Sequence, residues 1–240
     1  PRDFDGDGRT DVAVFAPASG QWSALLSGSG DALATAILGG PGGVARPGDL
    51  DGDGRADPVV FYPDSGWWEG LFSGQRYAPV EGPLGQVGDR ACPADFDGDG
   101  RTDPTVFRLQ TMVLGRLGVW SARLSGSGYA SDIWNRGDGG QPVPQDYDGD
   151  GTADTALYHP EGGLFSCWPS SMRLTLPVTL ALGGPGFTAV FGDYDGDRKA
   201  DPAVYQESSG TWIVALSAGG YAKVSLQLGG PGYQPVSALP

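Results

Sequence analysis

Short apolar segments alternate with glycine-rich turns along the whole chain. An apolar strand is followed by a turn, and the next strand opens with an aromatic residue. The predicted first strands are residues 12–15, 59–62, 105–107, 155–158 and 203–205. The aromatic residues that open the second strands are Trp22, Trp68, Trp120, Phe165 and Trp212. Short strands without any helical run predict an all-β fold.

A polar motif sets the period of this pattern. Its sequence is Asp-x-Asp-Gly-Asp-Gly-x-x-Asp, and it begins at Asp3, Asp49, Asp95, Asp146 and Asp193, so successive motifs lie 46, 46, 51 and 47 residues apart. The resulting repeats are 3–48, 49–94, 95–145, 146–192 and 193–240. Four short strands in a period of about 45 residues are typical of a propeller blade. We therefore predict a single domain over residues 1–240, a five-bladed β-propeller with four antiparallel strands per blade.

The alignment of the repeats predicts how the ring of five blades closes. The first repeat lacks the strand that precedes a loop, whereas residues 234–240 of the fifth repeat resemble that strand in the third repeat, at 141–145. We predict that residues 234–240 pair with residues 12–15 and complete the first blade, because closure removes exposed strand edges. The extra residues of the third repeat, near 109–117, predict a longer loop between its first two strands.

Each polar motif offers side-chain oxygens at its first, third, fifth and ninth positions. Hard oxygen ligands select calcium or magnesium over zinc or copper. With the backbone carbonyl of the seventh residue, a loop offers about six or seven oxygens, which favours calcium. The predicted carboxylate ligands are Asp3, Asp5, Asp7, Asp11, Asp49, Asp51, Asp53, Asp57, Asp95, Asp97, Asp99, Asp103, Asp146, Asp148, Asp150, Asp154, Asp193, Asp195, Asp197 and Asp201. The predicted carbonyl ligands are Arg9, Arg55, Arg101, Thr152 and Lys199, for about five calcium ions in all.

The five loops resemble the calcium loops of FG-GAP repeats, as in integrin α-chain propellers, and of the related bacterial VCBS-type repeats. The resemblance is carried by residues 3–11, 49–57, 95–103, 146–154 and 193–201. It implies a β-propeller with calcium between the first two strands of a blade, and an extracellular or cell-surface setting. It does not imply one ligand. Integrin propellers have seven blades, so their partner-binding residues are not transferred to this chain.

The fifth loop departs from the others at its sixth position. It has Arg198 where the other loops have glycine. A non-glycine residue in the left-handed conformation costs about 1 kcal/mol. We therefore expect this site to be the weakest of the five, or its loop to be slightly reshaped.

The acidity of the chain is concentrated in these loops. The formal net charge is −14, and five divalent ions would reduce it to −4. We therefore interpret the acidic residues as metal ligands rather than as a surface field. The negative net charge argues against nucleic-acid binding, since contacts to phosphate groups need Lys and Arg. Apolar runs fall well short of the roughly 20 residues that span a bilayer, so we expect no membrane insertion.

The remaining reactive residues do not form a catalytic pattern. His159 is the only histidine, and its counterparts in the other repeats are chemically unrelated to it. Cys92 and Cys167 lack neighbours that would activate a nucleophile, and two buried thiols are favoured over a disulfide. We predict that the protein is not an enzyme.

The aromatic residues suggest where a ligand would bind. The five aligned aromatics are expected to pack between neighbouring blades. Trp67, Trp134 and Trp168 fall outside the repeat pattern and are the candidate platforms for stacking a sugar. The sequence favours a monomeric, extracellular binding or adhesion module with a protein or carbohydrate ligand. A lectin with repeated carbohydrate sites and an accessory domain of a secreted polysaccharide-processing enzyme are the alternatives.

Overall fold

Five antiparallel sheets, one for each repeat, make up the protein. The computed structural model describes residues 3–113, 115–172, 176–233 and 235. The chain divides into two compact units, one formed by Pro1–Leu109 with Val119–Asn135 and the other by Gln110–Gly118 with Arg136–Pro240. We number the sheets in chain order as blades 1 to 5.

The first unit contains blades 1 and 2 and most of blade 3. Blade 1 consists of β1 (Val12–Ala16), β2 (Gln21–Leu26) and β3 (Ala32–Ile37). Blade 2 consists of β4 (Val44–Ala45), β5 (Val59–Tyr62), β6 (Trp67–Phe72) and β7 (Ala78–Pro83). Blade 3 consists of β8 (Arg90–Ala91), β9 (Thr105–Met112), β10 (Gly115–Leu124) and β11 (Ala130–Asn135). Short 3₁₀ turns at Ser27–Ser29, Ser73–Gln75 and Ser125–Ser127 join the last two strands of these blades.

The second unit contains blades 4 and 5. Blade 4 consists of β12 (Gln141–Pro142), β13 (Thr155–His159), β14 (Leu164–Trp168) and β15 (Val178–Ala181). Blade 5 consists of β16 (Phe187–Gly192), β17 (Asp201–Gln206), β18 (Thr211–Leu216) and β19 (Ala222–Gln227). Antiparallel sheets that each follow one period of the sequence are the blades of a β-propeller, so the predicted fold class is confirmed.

The predicted strand boundaries need one correction, in the third repeat. Its extra residues do not form a longer loop, because they lengthen the two strands that flank the turn. β9 has 8 residues and β10 has 10, whereas their counterparts β5 and β6 have 4 and 6. The β-branched side chain of Thr111 favours an extended backbone, and the pairing of β9 with β10 satisfies backbone groups that a loop would leave to water.

An aromatic pair joins two strands in four of the five blades. In blades 1, 2, 3 and 5 an aromatic residue of the strand after the loop packs on the aligned tryptophan, with ring centroids 4.9, 4.9, 5.0 and 4.9 Å apart. The pairs are Phe15 with Trp22, Phe61 with Trp68, Phe107 with Trp120 and Tyr205 with Trp212. Trp22, Trp68, Trp120 and Phe165 are buried, and Trp212 is partly buried. These aromatics therefore belong to the core of the blades.

Ring closure was predicted for a segment that is mostly outside the described residues. Blade 1 has three strands within the described part of the chain, whereas the other blades have four. The predicted partner of β1, residues 234–240, is not described apart from residue 235. The pairing therefore stays a prediction. Within the described ranges, no helix is long and apolar enough to cross a membrane.

We predict that Trp120→Ala destabilises the protein far more than Trp212→Ala. Trp120 is 0 % exposed, so its removal leaves a cavity and costs about 3–5 kcal/mol. Trp212 occupies the same repeat position but is only partly buried, so its removal costs less. Urea unfolding of the two variants measures the difference. Equal losses of unfolding free energy would show that burial of the ring does not determine how much the aligned aromatic residue stabilises its blade.

Candidate metal centre

In blades 2 to 5 the Asp-rich loop lies between the first two strands of the blade, and in blade 1 it precedes β1, the first described strand. Each loop folds around its first aspartate. We name residues 3–11, 49–57, 95–103, 146–154 and 193–201 loops 1 to 5. In loop 1, Asp3 accepts hydrogen bonds from the N–H of Gly6 at 2.6 Å and of Gly8 at 2.8 Å. The first aspartate makes the same two bonds in every other loop, at 2.6–2.9 Å. These bonds curl the loop into a compact ring.

The ninth aspartate of each loop is buried and joins the loop to a second segment. In loop 2, Asp57 is 0 % exposed and accepts hydrogen bonds from the N–H of Leu50 at 2.8 Å and of Ser73 at 2.7 Å. Its counterparts Asp11, Asp103, Asp154 and Asp201 make the same pair of bonds. This carboxylate therefore fixes the loop against the turn between the last two strands of its blade.

A serine in that turn completes the contact and was missed by the sequence analysis. The serines are Ser27, Ser73, Ser125, Ser170 and Ser217. Each hydroxyl donates to the fifth aspartate of its loop at 2.7–3.2 Å. The N–H of the next residue donates to the third aspartate at 2.9–3.3 Å. The serine follows the ninth aspartate by 16 residues in four repeats, and by 22 residues in the third repeat, where β9 and β10 are longer. An alignment of the repeats would therefore have found it.

The loops bring carboxylates together in groups of three. In each group one oxygen from every residue lies within 4.8 Å of the others. In loops 2, 3 and 5 the group consists of the first, third and fifth aspartates: Asp49, Asp51 and Asp53; Asp95, Asp97 and Asp99; Asp193, Asp195 and Asp197. In loops 1 and 4 the ninth aspartate takes the place of the fifth: Asp3, Asp5 and Asp11; Asp146, Asp148 and Asp154. Three of the four predicted carboxylates thus meet in every loop.

The chemistry of these groups fits a hard divalent cation. Oδ1 of Asp51 is buried and has no hydrogen-bond partner among the described residues. Burial, and then repulsion by Asp53, raises the pKa of Asp51 above its usual value. Burial also raises the pKa of Asp103 and of Asp154 to about 6. A cation among the carboxylates would offset both the burial and the repulsion, and carboxylate oxygens are the ligands that calcium prefers.

Comparison with known proteins supports the interpretation of these loops. Residues 3–60 match the sequence model of the FG-GAP-like repeat. Loops 3 to 5 repeat the motif of this matched segment, so we call all five loops FG-GAP loops after this similarity. The matched segment contains loop 1, blade 1 and loop 2. A search of curated proteins gave no match.

Successive FG-GAP loops are connected to each other by a backbone hydrogen bond. The N–H of the eighth residue of a loop donates to the carbonyl of the first aspartate of the preceding loop. This bond joins Ala56 to Asp3 at 2.6 Å, Thr102 to Asp49 at 2.5 Å and Ala200 to Asp146 at 2.8 Å. Loops 1, 2 and 3 of the first unit, and loops 4 and 5 of the second, are linked in this way.

The seventh residue of an FG-GAP loop also contacts the loop before it. A Cβ placed on Gly6 would lie 3.1 Å from Cγ of Arg55, and one on Gly149 would lie 2.9 Å from Cε of Lys199. The basic side chains of Arg55 and Lys199 therefore lie over the preceding acidic loop. The N–H of the seventh residue donates to the fifth aspartate at 2.8–2.9 Å in all loops. The ligand role of the carbonyl groups of Arg9, Arg55, Arg101, Thr152 and Lys199 stays a prediction.

Arg198 keeps the glycine conformation of the other FG-GAP loops. Its φ is 72°, and its N–H donates to Asp193 at 2.9 Å, as the glycine N–H does elsewhere. The fifth loop is therefore not reshaped, and the left-handed arginine is a local strain of about 1–2 kcal/mol.

The tryptophans proposed as sugar platforms lie in three different environments. Trp67 is partly buried, and Trp168 is 6 % exposed. Trp134 is partly buried and packs on Phe96, with ring centroids 5.4 Å apart. A sugar stacks on an open ring face, which the buried Trp168 does not offer in this conformation. Carbohydrate binding at these residues stays a prediction.

The other reactive residues lie apart from the FG-GAP loops or are buried. Nε2 of His159 lies 4.0 Å from Oδ1 of Asp138. Cys92 and Cys167 are both buried and form no disulfide. Burial raises the pKa of each thiol, so both stay protonated at neutral pH. A protonated, buried thiol is a poor nucleophile.

We predict that Asp57→Ala and Asp53→Ala destabilise the protein under different conditions. Asp57→Ala leaves two backbone N–H groups without acceptors, at about 1–3 kcal/mol each, whether or not calcium is present. Asp53 is exposed, so Asp53→Ala should matter mainly when calcium is bound. Urea unfolding with excess calcium and with excess chelator measures both effects. The assignment of roles is wrong if Asp57→Ala is neutral in chelator.

We predict that Gly54→Ala lowers the free energy of unfolding by about 1 kcal/mol, because alanine is strained at a φ of 83°. Gly40→Ala is the matched control. A Cβ at either position meets no atom within 4 Å, and Gly40 does not have a positive φ. Thermal unfolding in calcium compares the two. Equal melting temperatures would contradict a conformational requirement for glycine in the loop.

Proposed function

We propose that the chain is a calcium-stabilised, non-catalytic binding or adhesion module that acts outside the cytosol. The observation that carries this proposal is the five-fold recurrence of one loop, each copy with three carboxylates whose oxygens lie within 4.8 Å of one another. A single acidic cluster is common on protein surfaces. Five clusters with the same hydrogen bonds, each at the same point of a blade, favour a common ligand.

Calcium would stabilise the blades through the contacts that surround each cluster. Like charges separated by about 4 Å repel by about 1 kcal/mol per pair even in water, and by more near a protein surface. The loop cannot relax freely, because its first and ninth aspartates are held by backbone amides. An ion at a concentration 100-fold above its Kd adds about 2.7 kcal/mol per site. Binding would therefore couple the loop, the serine turn and the strands between them.

The proposed location follows from the calcium supply and the repeat family. Calcium is abundant outside cells, where sites of modest affinity remain filled. FG-GAP-like repeats are typical of extracellular proteins. Proteins built from these repeats serve mainly to bind partners, so a binding or adhesion module is the function that the fold supports best.

The absence of catalysis is proposed from the described side chains. Both thiols are buried with a raised pKa, and Nε2 of His159 lies 4.0 Å from Oδ1 of Asp138, at the limit of ion-pair distance. The clustered carboxylates are accounted for by the loops, and a carboxylate bound to calcium is a poor general acid. The partner is proposed to contact the surface of the blades rather than to undergo a reaction.

The test is a thermal melt of the whole chain with calcium, with magnesium and with excess chelator. We expect calcium to raise the melting temperature substantially, and magnesium to raise it less, since magnesium accepts fewer protein ligands. Asp53→Asn should reduce the calcium response. Asp64→Asn, at an exposed aspartate outside the loops, is the matched control and should not. Identical melting temperatures in calcium and in chelator would contradict the proposal.

A further inference from the structure

One position in the last strand of each blade varies greatly in size. It lies directly opposite the aligned aromatic residue of the preceding strand. Its occupants are Ala36, Gly82, Trp134, Leu180 and Leu226, which pair with Trp22, Trp68, Trp120, Phe165 and Trp212. Residues opposite each other in antiparallel strands share a face of the sheet, so this residue decides how much space remains beside the aromatic.

Blade 3 shows what can fill that space. The indole of Trp134 packs on Phe96, the second residue of loop 3, with ring centroids 5.4 Å apart. The ring of Phe96 in turn lies 6.3 Å from that of Trp120. Three aromatic rings therefore cluster on this face of the blade, and Trp134 supplies one of them.

Blades 1 and 2 retain the surroundings but lack the indole. In blade 1, Phe4, Trp22 and Ala36 line a cavity of about 440 Å³. In blade 2, Leu50, Trp68 and Gly82 line a cavity of about 320 Å³. Leu180 fills part of the equivalent space in blade 4, where the cavity measures about 240 Å³. Both of these cavities are larger than the one beside the bulkier Leu180.

The next blade closes each cavity on the opposite side. Pro58, Leu71 and Tyr77 of blade 2 line the cavity of blade 1. Tyr129 of blade 3 lines the cavity of blade 2, and its hydroxyl donates to the carbonyl of Leu50 at 2.8 Å. Both volumes lie in the range of small-ligand sites. The cavities are therefore slots between two packed sheets.

Both linings are mainly apolar and favour an apolar ring over a sugar, although Glu69, Glu81 and Arg123 also line the cavity of blade 2. The indole N–H of Trp22 donates to the carbonyl of Leu38 at 3.3 Å, and that of Trp68 to the carbonyl of Leu84 at 2.9 Å. These donors are thus already used within the blades. A sugar carries many hydroxyl groups, and burying them without partners is costly. A flat aromatic ring gains from contact with Phe4, Trp22 and Trp68 and leaves few polar groups unpaired.

We propose that the cavities of blades 1 and 2 are two binding sites for a planar aromatic group the size of indole. In blade 3 the indole of Trp134 fills the space beside the aligned aromatic residue. In blades 1 and 2 an aromatic ring of the bound ligand takes the place of that indole. The inference rests on the proposed binding function and names the chemical class of its ligand. The ring can belong to a free small molecule or to an aromatic side chain of a protein partner.

The test uses the calcium-loaded full chain, with indole and N-acetyltryptophanamide as probes in separate calorimetric titrations. We expect two sites per chain for at least one probe. Binding of indole alone identifies a free aromatic molecule as the ligand source, and binding of the capped tryptophan identifies a protein side chain. If neither probe binds, the inference is overturned.

Space-filling variants locate the sites. Ala36→Trp and Gly82→Trp should each remove one site, and the double variant should weaken binding at least tenfold. A Cβ at Gly82 meets no atom within 4 Å, so the backbone has room for a side chain there. Leu226→Trp places a tryptophan at the same repeat position of blade 5, where Leu226 is 57 % exposed, and should leave both sites intact. Unchanged binding in the double variant would contradict the assignment.

Melting temperatures confirm that each variant is folded. If chelation does not change the melting temperature, the calcium function is contradicted, but the titrations can still be interpreted on the apo protein. If neither probe binds, only the aromatic sites are contradicted.

Discussion

The buried carboxylate at the ninth position of each loop is the interaction on which the blades depend. In blade 2, Asp57 holds the N–H of Leu50 on one side and the N–H of Ser73 on the other. The first bond shapes the loop and the second fixes the turn 16 residues later. Because a buried N–H without an acceptor is costly, this one side chain sets the position of the loop relative to the hairpin that follows it.

The acidic clusters follow from this constraint. Once loop and turn are joined, the serine hydroxyl and the next N–H reach the fifth and third aspartates, and the carboxylates cannot move apart. Burial and the nearby charge of Asp53 raise the pKa of Asp51, and burial raises the pKa of Asp103, which reflects the cost of placing these two carboxylates there. The same hydrogen bonds that build the blade thus prepare a cluster of oxygens suited to a divalent ion.

Much of this architecture could be predicted from the sequence, because the loop motif and the aligned aromatics recur in phase. The turn serines were missed, since a single small polar residue carries no signal until the repeats are aligned. The sequence does not distinguish the lengthened β9 and β10 from a longer loop, because length alone does not separate paired from unpaired residues. The cavities beside Ala36 and Gly82 depend on packing between sheets, and Trp134 was interpreted as an outlier rather than as the filler of a shared space.

The hydrogen bonds between successive loops give the chain a property of one-dimensional arrays. Ala56 and Thr102 each join their own loop to the first aspartate of the loop before it. A loop that loses its ion and loosens would therefore weaken the shape of its neighbour, much as one repeat of a solenoid supports the next. If the loops bind calcium as proposed, the ions would be gained or lost cooperatively from loop to loop, and the response to falling calcium would be steeper than that of independent sites.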